Sequence, residues 1–401
     1  MTAGRTAGWY PLLLATAAIG VANSVVFSLL SNLQDKYGFS DTGLGLIAGS
    51  GFLVGLIGQV LLAPFADRGH SKTLLLAGLG MAVLGSVLFA LSGSLLTLVA
   101  SRAVVGLSNS LFIPASRAIA ISISDRDVAK RLGTISGVEL AGFVTGPAIG
   151  GMLVGPFGLK VPFLVAGAFA LAAAAMLAPR TLPTPPISIG HRMAFDLLRL
   201  PRVRAGVLMS TALFLPVGFY DATLDRYLTD LGASDQLIGF SFLAYGVPFA
   251  LLATTGGRLA DRRGALRVAV LSALAVAPLT MAYGFIAAPL LIIVLSVVEG
   301  CTQALGVPAA HAVVASGAPV GRAAAAQGLS GACNLFVAAV TAYLAGGLYE
   351  QLGSEWMFTI AGAGVGLFAL LSLAQGRRPL KTQRQIQRQQ QRQRQQGATL
   401  S

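Results

Sequence analysis

Residues 41–68 read DTGLGLIAGSGFLVGLIGQVLLAPFADR, and residues 235–262 read DQLIGFSFLAYGVPFALLATTGGRLADR. Each stretch opens on an aspartate (Asp41, Asp235), continues as a long apolar run, and stops at an Asp-Arg pair, Asp67-Arg68 or Asp261-Arg262. About 20 mostly apolar residues in a helix cross the hydrocarbon layer of a bilayer. Lipid offers the backbone no hydrogen-bond partner, so such a run must satisfy its own N–H and C=O groups as a helix. The second stretch follows the first at a shift of 194, and the same shift carries Gly38 onto Gly232, Gly106 onto Gly300, Pro114 onto Pro308 and Gly137 onto Gly331. Composition alone can align a glycine or two. Matched Asp-Arg pairs together with matched prolines imply an internal duplication.

Working outward from these stretches, the spanning criterion picks out twelve runs: about 10–32, 43–65, 73–92, 96–117, 132–154, 161–178, 205–228, 236–257, 266–286, 289–311, 326–348 and 356–375. Whole-chain composition agrees. Of the 401 residues, 55% are hydrophobic and 11% charged, with a mean hydropathy of +0.76. A soluble domain carries roughly 25% charged residues, so too few charges are present here to cover a water-facing surface. The 49 glycines suit helices that pack closely in lipid. Connection 179–204, with Pro183, Pro185 and Pro186 and a basic amphipathic stretch from His191 to Arg204, divides the spans six and six. The expected fold is therefore an all-α integral membrane protein of twelve transmembrane helices in two pseudo-symmetric six-helix bundles. Its parts are 1–178, the cytoplasmic loop 179–204, 205–376 and a Gln/Arg-rich tail 377–401. The tail cannot bury apolar surface and reads as disordered. Contact with anionic headgroups is its leading reading, and RNA the minor one.

The net charge of +13 raises the question of nucleic acid, and position answers it. Of the 28 basic residues, 24 fall at the N-terminus, in alternate connections or in the tail, and only Lys36 and Lys160 fall in the other connections. Basic loops stay inside, so both termini are expected in the cytoplasm and the membrane is the cytoplasmic one. The first run has no small-residue cleavage site after it and is read as retained. Cys301 and Cys333 both lie within apolar runs, which argues against a disulfide framework.

Three motifs make the chain resemble the major facilitator superfamily over essentially its whole length. Between spans 2 and 3, residues 63–72 read APFADRGHSK, matching the family's Gly-x-x-x-Asp-Arg-x-Gly-Arg-Lys at Asp67, Arg68 and Lys72. The second half repeats it with Gly257, Asp261, Arg262 and Gly264. In span 4 the pattern is Arg102, Gly106 and Pro114, and in span 5 it is Gly142, Gly146, Pro147, Gly150 and Gly151. The resemblance implies a gate at the Asp67 loop, where a carboxylate facing a helix N-terminus gains roughly 0.3–1 kcal/mol. It implies a proton-coupling role for Arg102, and an antiporter signature in span 5 of the kind found in drug–proton exporters. Each has a plainer alternative: a basic turn that fixes topology, an arginine reaching for the interface, and ordinary small-residue packing.

Carboxylates within spans are the other signal, because an ionisable group in lipid is costly and marks a function. Glu139, Glu299, Asp221 and Asp225 are the candidate proton carriers, with Glu139 and Glu299 expected to lie deepest; Asp225 alternatively forms a local ion pair at the rim. Asn23, Gln59, Asn109, Tyr220, Gln303, His311 and Asn334 could line a cavity or tie helices together, a bond worth about 0.6 kcal/mol. Phe27, Phe214, Phe219, Phe240, Phe242 and Tyr245 suit an apolar aromatic solute or face lipid. No phosphate-binding Gly-x-x-x-x-Gly-Lys-Ser/Thr stretch and no metal-ligand or nucleophile–base spacing occurs. The expectation is a non-enzymatic, monomeric secondary transporter that uses the proton as coupling ion and no cofactor. It exports a small apolar or cationic molecule, with no nucleic-acid partner. An exporter or importer of one metabolite, such as a sugar, siderophore or lipid precursor, is the alternative, and a non-transporting sensor is the third reading.

Overall fold

The computed structural model describes residues 8–65, 70–123, 128–183, 195–319 and 322–376. Asp67, Arg68, residues 184–194 of the central connection and the Gln/Arg tail lie outside these residues. Every regular element among the described residues is helical. The first crossing is α1 (Trp9–Ser24), a 3-10 turn (Val25–Ser28) and α2 (Leu30–Tyr37). Then come α3 (Asp41–Phe65), α4 (Ser71–Leu91), α5 (Leu95–Ser122), α6 (Val128–Phe157) and α7 (Val161–Leu177). After a 3-10 turn at Phe195–Arg199 follow α8 (Pro201–Asp230), α9 (Asp235–Arg263), α10 (Ala265–Tyr283), α11 (Pro289–Gly317) and α12 (Ala323–Gly376).

Ten of these helices are long and apolar enough to cross a membrane, and α7 is an apolar helix of 17 residues. Gly353, at φ 77° and ψ 176°, breaks α12 into two crossings. That yields twelve. Local chemistry places the ends. Gly38 (φ 67°) and Gly232 (φ 81°) turn the chain after α2 and α8 at equivalent points of the two repeats, in a backbone region that a side chain disfavours. Ser94 and Thr97 form a reciprocal cap on α5. One element departs from the sequence reading: the first span, expected to be continuous over 10–32, is interrupted at Val25–Ser28.

Packing repeats with the duplication. In the first half α1 lies on α6, α3 on α5, and α4 on α5 and α7; in the second, α8 lies on α12, α9 on α11, and α10 on α11 and α12. The halves meet along α3 with α12 and α6 with α9. Gly45 of α3 faces the Ala342 carbonyl, and its counterpart Gly239 of α9 faces Pro147 and Ala148 of α6. A Cβ at either glycine would run into backbone, so these crossings require the residue found there.

The halves are tied at the end that holds the 38–40 and 231–234 connections. Asn32 donates to Asp235 at 3.2 Å, the Arg226 guanidinium meets Asp35 at 2.6 Å, and Thr42 donates through Oγ1 to Glu350 at 2.8 Å. Toward the opposite end Gly133 and Gly137 of α6, His311 of α11 and Gly328 of α12 are exposed. Among the described residues the first end is tied and is called the sealed end, and the second is open to solvent and is called the parted end.

Candidate functional site

The ionisable groups buried at the join come from α5 and α8. Arg102 of α5 is 1% exposed. One guanidinium nitrogen, Nη1, donates to the Asn23 backbone carbonyl and, at 3.0 Å, to its side-chain Oδ1. The guanidinium lies 4.6 Å from the ring centroid of Phe27, a cation over a π face. Gly51 of α3 leaves the space into which this side chain folds. An arginine that only reached for the membrane surface would expose its head, so the snorkelling alternative does not hold.

Asp221 of α8 lies in the other half and within electrostatic reach of Arg102. It is 3% exposed, and its Oδ2 has no hydrogen-bond partner among the described residues; the same holds for Arg102 Nε. One turn further along α8, Asp225 is 1% exposed and accepts from the backbone N–H of Ser31 at 2.5 Å. It makes no rim ion pair: Arg226 binds Asp35 and Asp230 instead, each at 2.6 Å.

Glu299 of α11 is wholly buried within the second half. The Tyr220 hydroxyl lies 3.0 Å from both of its carboxylate oxygens, and Gln303 Nε2 donates to it at 3.1 Å. Tyr220 packs against Tyr283 and Phe358, with centroids 5.3 and 6.2 Å apart. Tyr245 of α9 is half-buried and within electrostatic reach of both Glu299 and Asp221. Arg102 of α5 thus has Asn23 and Phe27 as direct partners and Asp221 of α8 within electrostatic reach, while Tyr245 is within reach of both Asp221 and Glu299.

A family model described as Major Facilitator Superfamily matches residues 12–223 and again 206–398. The chain belongs to the Major Facilitator Superfamily. It is a multi-pass membrane transporter. Its similarity to the maltose permease of Geobacillus stearothermophilus is 29% identity, over 89% of this chain and 92% of that protein. To the multidrug resistance protein MdtG of Yersinia enterocolitica it is 26%, over 74% of this chain and 75% of that one. In fold it matches a bacterial homolog of the human lysosomal transporter Spinster, in an inward-facing and occupied conformation. That match has a TM-score of 0.75 and 16% identity, and covers 95% of this chain and 98% of that one.

Other superfamily motifs find distinct surroundings. Gly142, Gly146 and Gly150 of α6 face Ala17, Ser24 and Ser28 of the first crossing, whereas Gly151 faces Asp235 across the join. Ser28 donates to the Pro147 carbonyl at 2.7 Å. Gly106 of α5 meets the backbone of Gly51, and Pro114 lies within an unbroken α5. Asp261, Arg262 and Gly264 are exposed at the parted end, Lys72 is half-buried, and Gly257 has open space around it.

Glu139 lies well along α6, its carbonyl against Gly20 of the first crossing, and its side chain is 27% exposed and paired with Arg117 at 3.3 Å. His311 is exposed at the parted end, within electrostatic reach of Arg117. Asn334 ties α12 to α8, donating to Ser210 at 2.9 Å, and Gln303 is spent on Glu299. Gln59 and Asn109 are half-buried, with the Gln59 amide 3.9 Å from a Cβ built at Gly331. Phe219 and Phe242 are buried, Phe214 is half-buried, and Phe240 is 45% exposed.

Sequence reasoning missed Ser31, Thr280, Tyr283 and Phe358. For Ser31 a signal existed: the 194-residue shift that pairs Asp67 with Asp261 also places Ser31 on Asp225. Residues near a pseudo-two-fold axis meet their own repeat counterparts, and these two do.

Proposed function

We propose that this protein is a proton-coupled antiporter that exports small apolar or cationic compounds across the cytoplasmic membrane by alternating access, as a monomer with both termini inside. The observation that carries this reading is the burial of Arg102 and Asp221 in opposite halves, within electrostatic reach of each other. While Asp221 is ionised, the arginine has a counter-charge in the other half and the join is held. A proton on Asp221 removes that attraction and leaves Arg102 uncompensated in a poorly solvated place, which favours parting of the halves. Proton uptake is thereby tied to a change of shape.

Glu299 supplies a second negative group beside the half-buried rings of Tyr220 and Tyr245. A cation over such rings gains roughly 0.5–2 kcal/mol, which supports a cationic solute. With basic loops inside, the sealed end is the outer one and this is the inward-facing half of the cycle. Export is supported by the span 5 motif and by similarity to a multidrug resistance protein. Similarity to a maltose permease favours a second reading, uptake of one metabolite.

The test is expression in an efflux-deficient bacterium, followed by accumulation of a panel of organic cations and apolar dyes with and without a protonophore. Export predicts lower accumulation that the protonophore abolishes. Unchanged accumulation of the whole panel, or raised accumulation of a member, contradicts it.

A further inference from the structure

We propose that Asp225 is a proton-released latch on the sealed end. The break in the first crossing exposes a second helix start near the sealed end. Leu29, at φ −127° and ψ 1°, is the N-cap of α2 and brings no side-chain hydrogen bond. The first N–H groups of α2 therefore need an acceptor from elsewhere. One is Asp225 of the opposite half, through Oδ2 on the Ser31 N–H. A carboxylate at a helix N-terminus gains both a charge-assisted bond and the dipole's field. The fold thus leaves one end of a helix in the first half unfinished and completes it with a side chain from the second.

The latch is placed to act as a switch. Asp225 is 1% exposed and its Oδ1 is unpartnered among the described residues. The charged groups that face it are Asp235 of α9 and Arg226 of its own helix, with Asp35 of α2 beyond the arginine, and Arg226 is already held by Asp35 and Asp230. No cation binds Asp225 directly among the described residues, so the helix start is the main reason for it to stay ionised. Protonation weakens that bond, removes the field term and loosens α2 on α8. Thr229 to Ser31 at 3.0 Å, Arg226 to Asp35 at 2.6 Å, Asn32 to Asp235 at 3.2 Å and Thr42 to Glu350 at 2.8 Å are then what holds the end. Opening admits water to Asp225, which can discharge its proton only after the end has parted. This role deepens the proton-coupled reading above and differs from it in residue and in readout.

The experiment is distance measurement between spin labels at Lys36→Cys and Gln236→Cys, both exposed at the sealed end. It uses the full chain in lipid nanodiscs, with Cys301→Ala and Cys333→Ala as background. In the parent protein, acidification from pH 8 to pH 5 is expected to raise a long-distance population. Asp225→Asn is expected to raise it at pH 8 by about ten-fold, the size of a charge-assisted bond, and to flatten the pH response. Ser31→Ala keeps the backbone N–H and loses the hydroxyl's contacts with Thr229 and Asp225; it is expected to open the end less than Asp225→Asn does. Two results overturn the latch: Asp225→Asn behaving as the parent at pH 8, or Ser31→Ala opening as far as Asp225→Asn. Loss of proton-driven transport in Asp221→Asn with an unaltered Asp225→Asn distance refutes the latch and leaves the coupling reading standing. The reverse pattern refutes coupling and leaves the latch.

Discussion

Arg102 and Asp221 are held in the same water-poor join, and what each contributes depends on the other. Removing one partner of a buried charge pair costs roughly 3–5 kcal/mol, because the remaining charge is left uncompensated. Arg102→Ala is therefore expected to lower the unfolding temperature of the detergent-solubilised protein markedly, and Arg102→Ala/Asp221→Asn to recover a large part of the loss. Strictly additive losses would show that the two do not interact. The sequence placed both residues in spans but could not pair them, since hydropathy records that a charge is buried without recording what faces it. Glu139 shows the same gap: run length placed it within a span without showing that Arg117 pairs with it there.

Helix α6 carries two kinds of glycine one residue apart. Gly150 faces Ser28 within the first half, and Gly151 faces Asp235 in the second. A large side chain at Gly150 should spoil packing inside a bundle, so Gly150→Leu is expected to reduce the yield of folded protein on size-exclusion chromatography. Gly151→Leu is expected to fold and to hold the sealed end apart, read as faster labelling of a cysteine placed at Lys36. Equal folding defects in both would mean that the two faces of α6 are not distinct.

The segment Phe195–Arg199 is a second element with a definite role. Leu197 is buried against Val203, Val314 and Leu329, and Asp196 pairs with Arg322 through two bonds of 2.5 and 3.0 Å. Its hydrogen bond to Arg322 holds the Asp196 carboxyl below its ordinary range. The contact therefore stabilises docking at neutral pH, and the stabilisation is lost as pH falls through that lowered value. Asp196→Asn should bring protease cleavage near residue 195 at neutral pH that the parent shows only on acidification; identical cleavage at both pH values would exclude the clamp. The helices themselves were legible from apolar run length. The break at Val25–Ser28 was not, because those residues are as apolar as their neighbours. What differs is a Ser28 hydroxyl bonded to the Pro147 carbonyl on another helix.

For the molecule as a whole, the duplication visible in the aspartate and glycine landmarks is repeated in every major helix contact. A pseudo-symmetric pair of bundles joined along α3 with α12 and α6 with α9 can rock about the region between Asp221 and Arg102. On the proposed reading the sealed end parts as the other closes. Substrate identity was not legible at any scale, because selectivity rests on which of many half-buried side chains face the join at once. The central claim is that Asp221 exchanges a proton as the halves rock. The most direct test is transport of a fluorescent organic cation in proteoliposomes carrying the Asp221→Asn variant. Uphill movement driven by a pH gradient should vanish while cation-for-cation exchange without a gradient persists. Uphill movement at the parental rate would contradict the account.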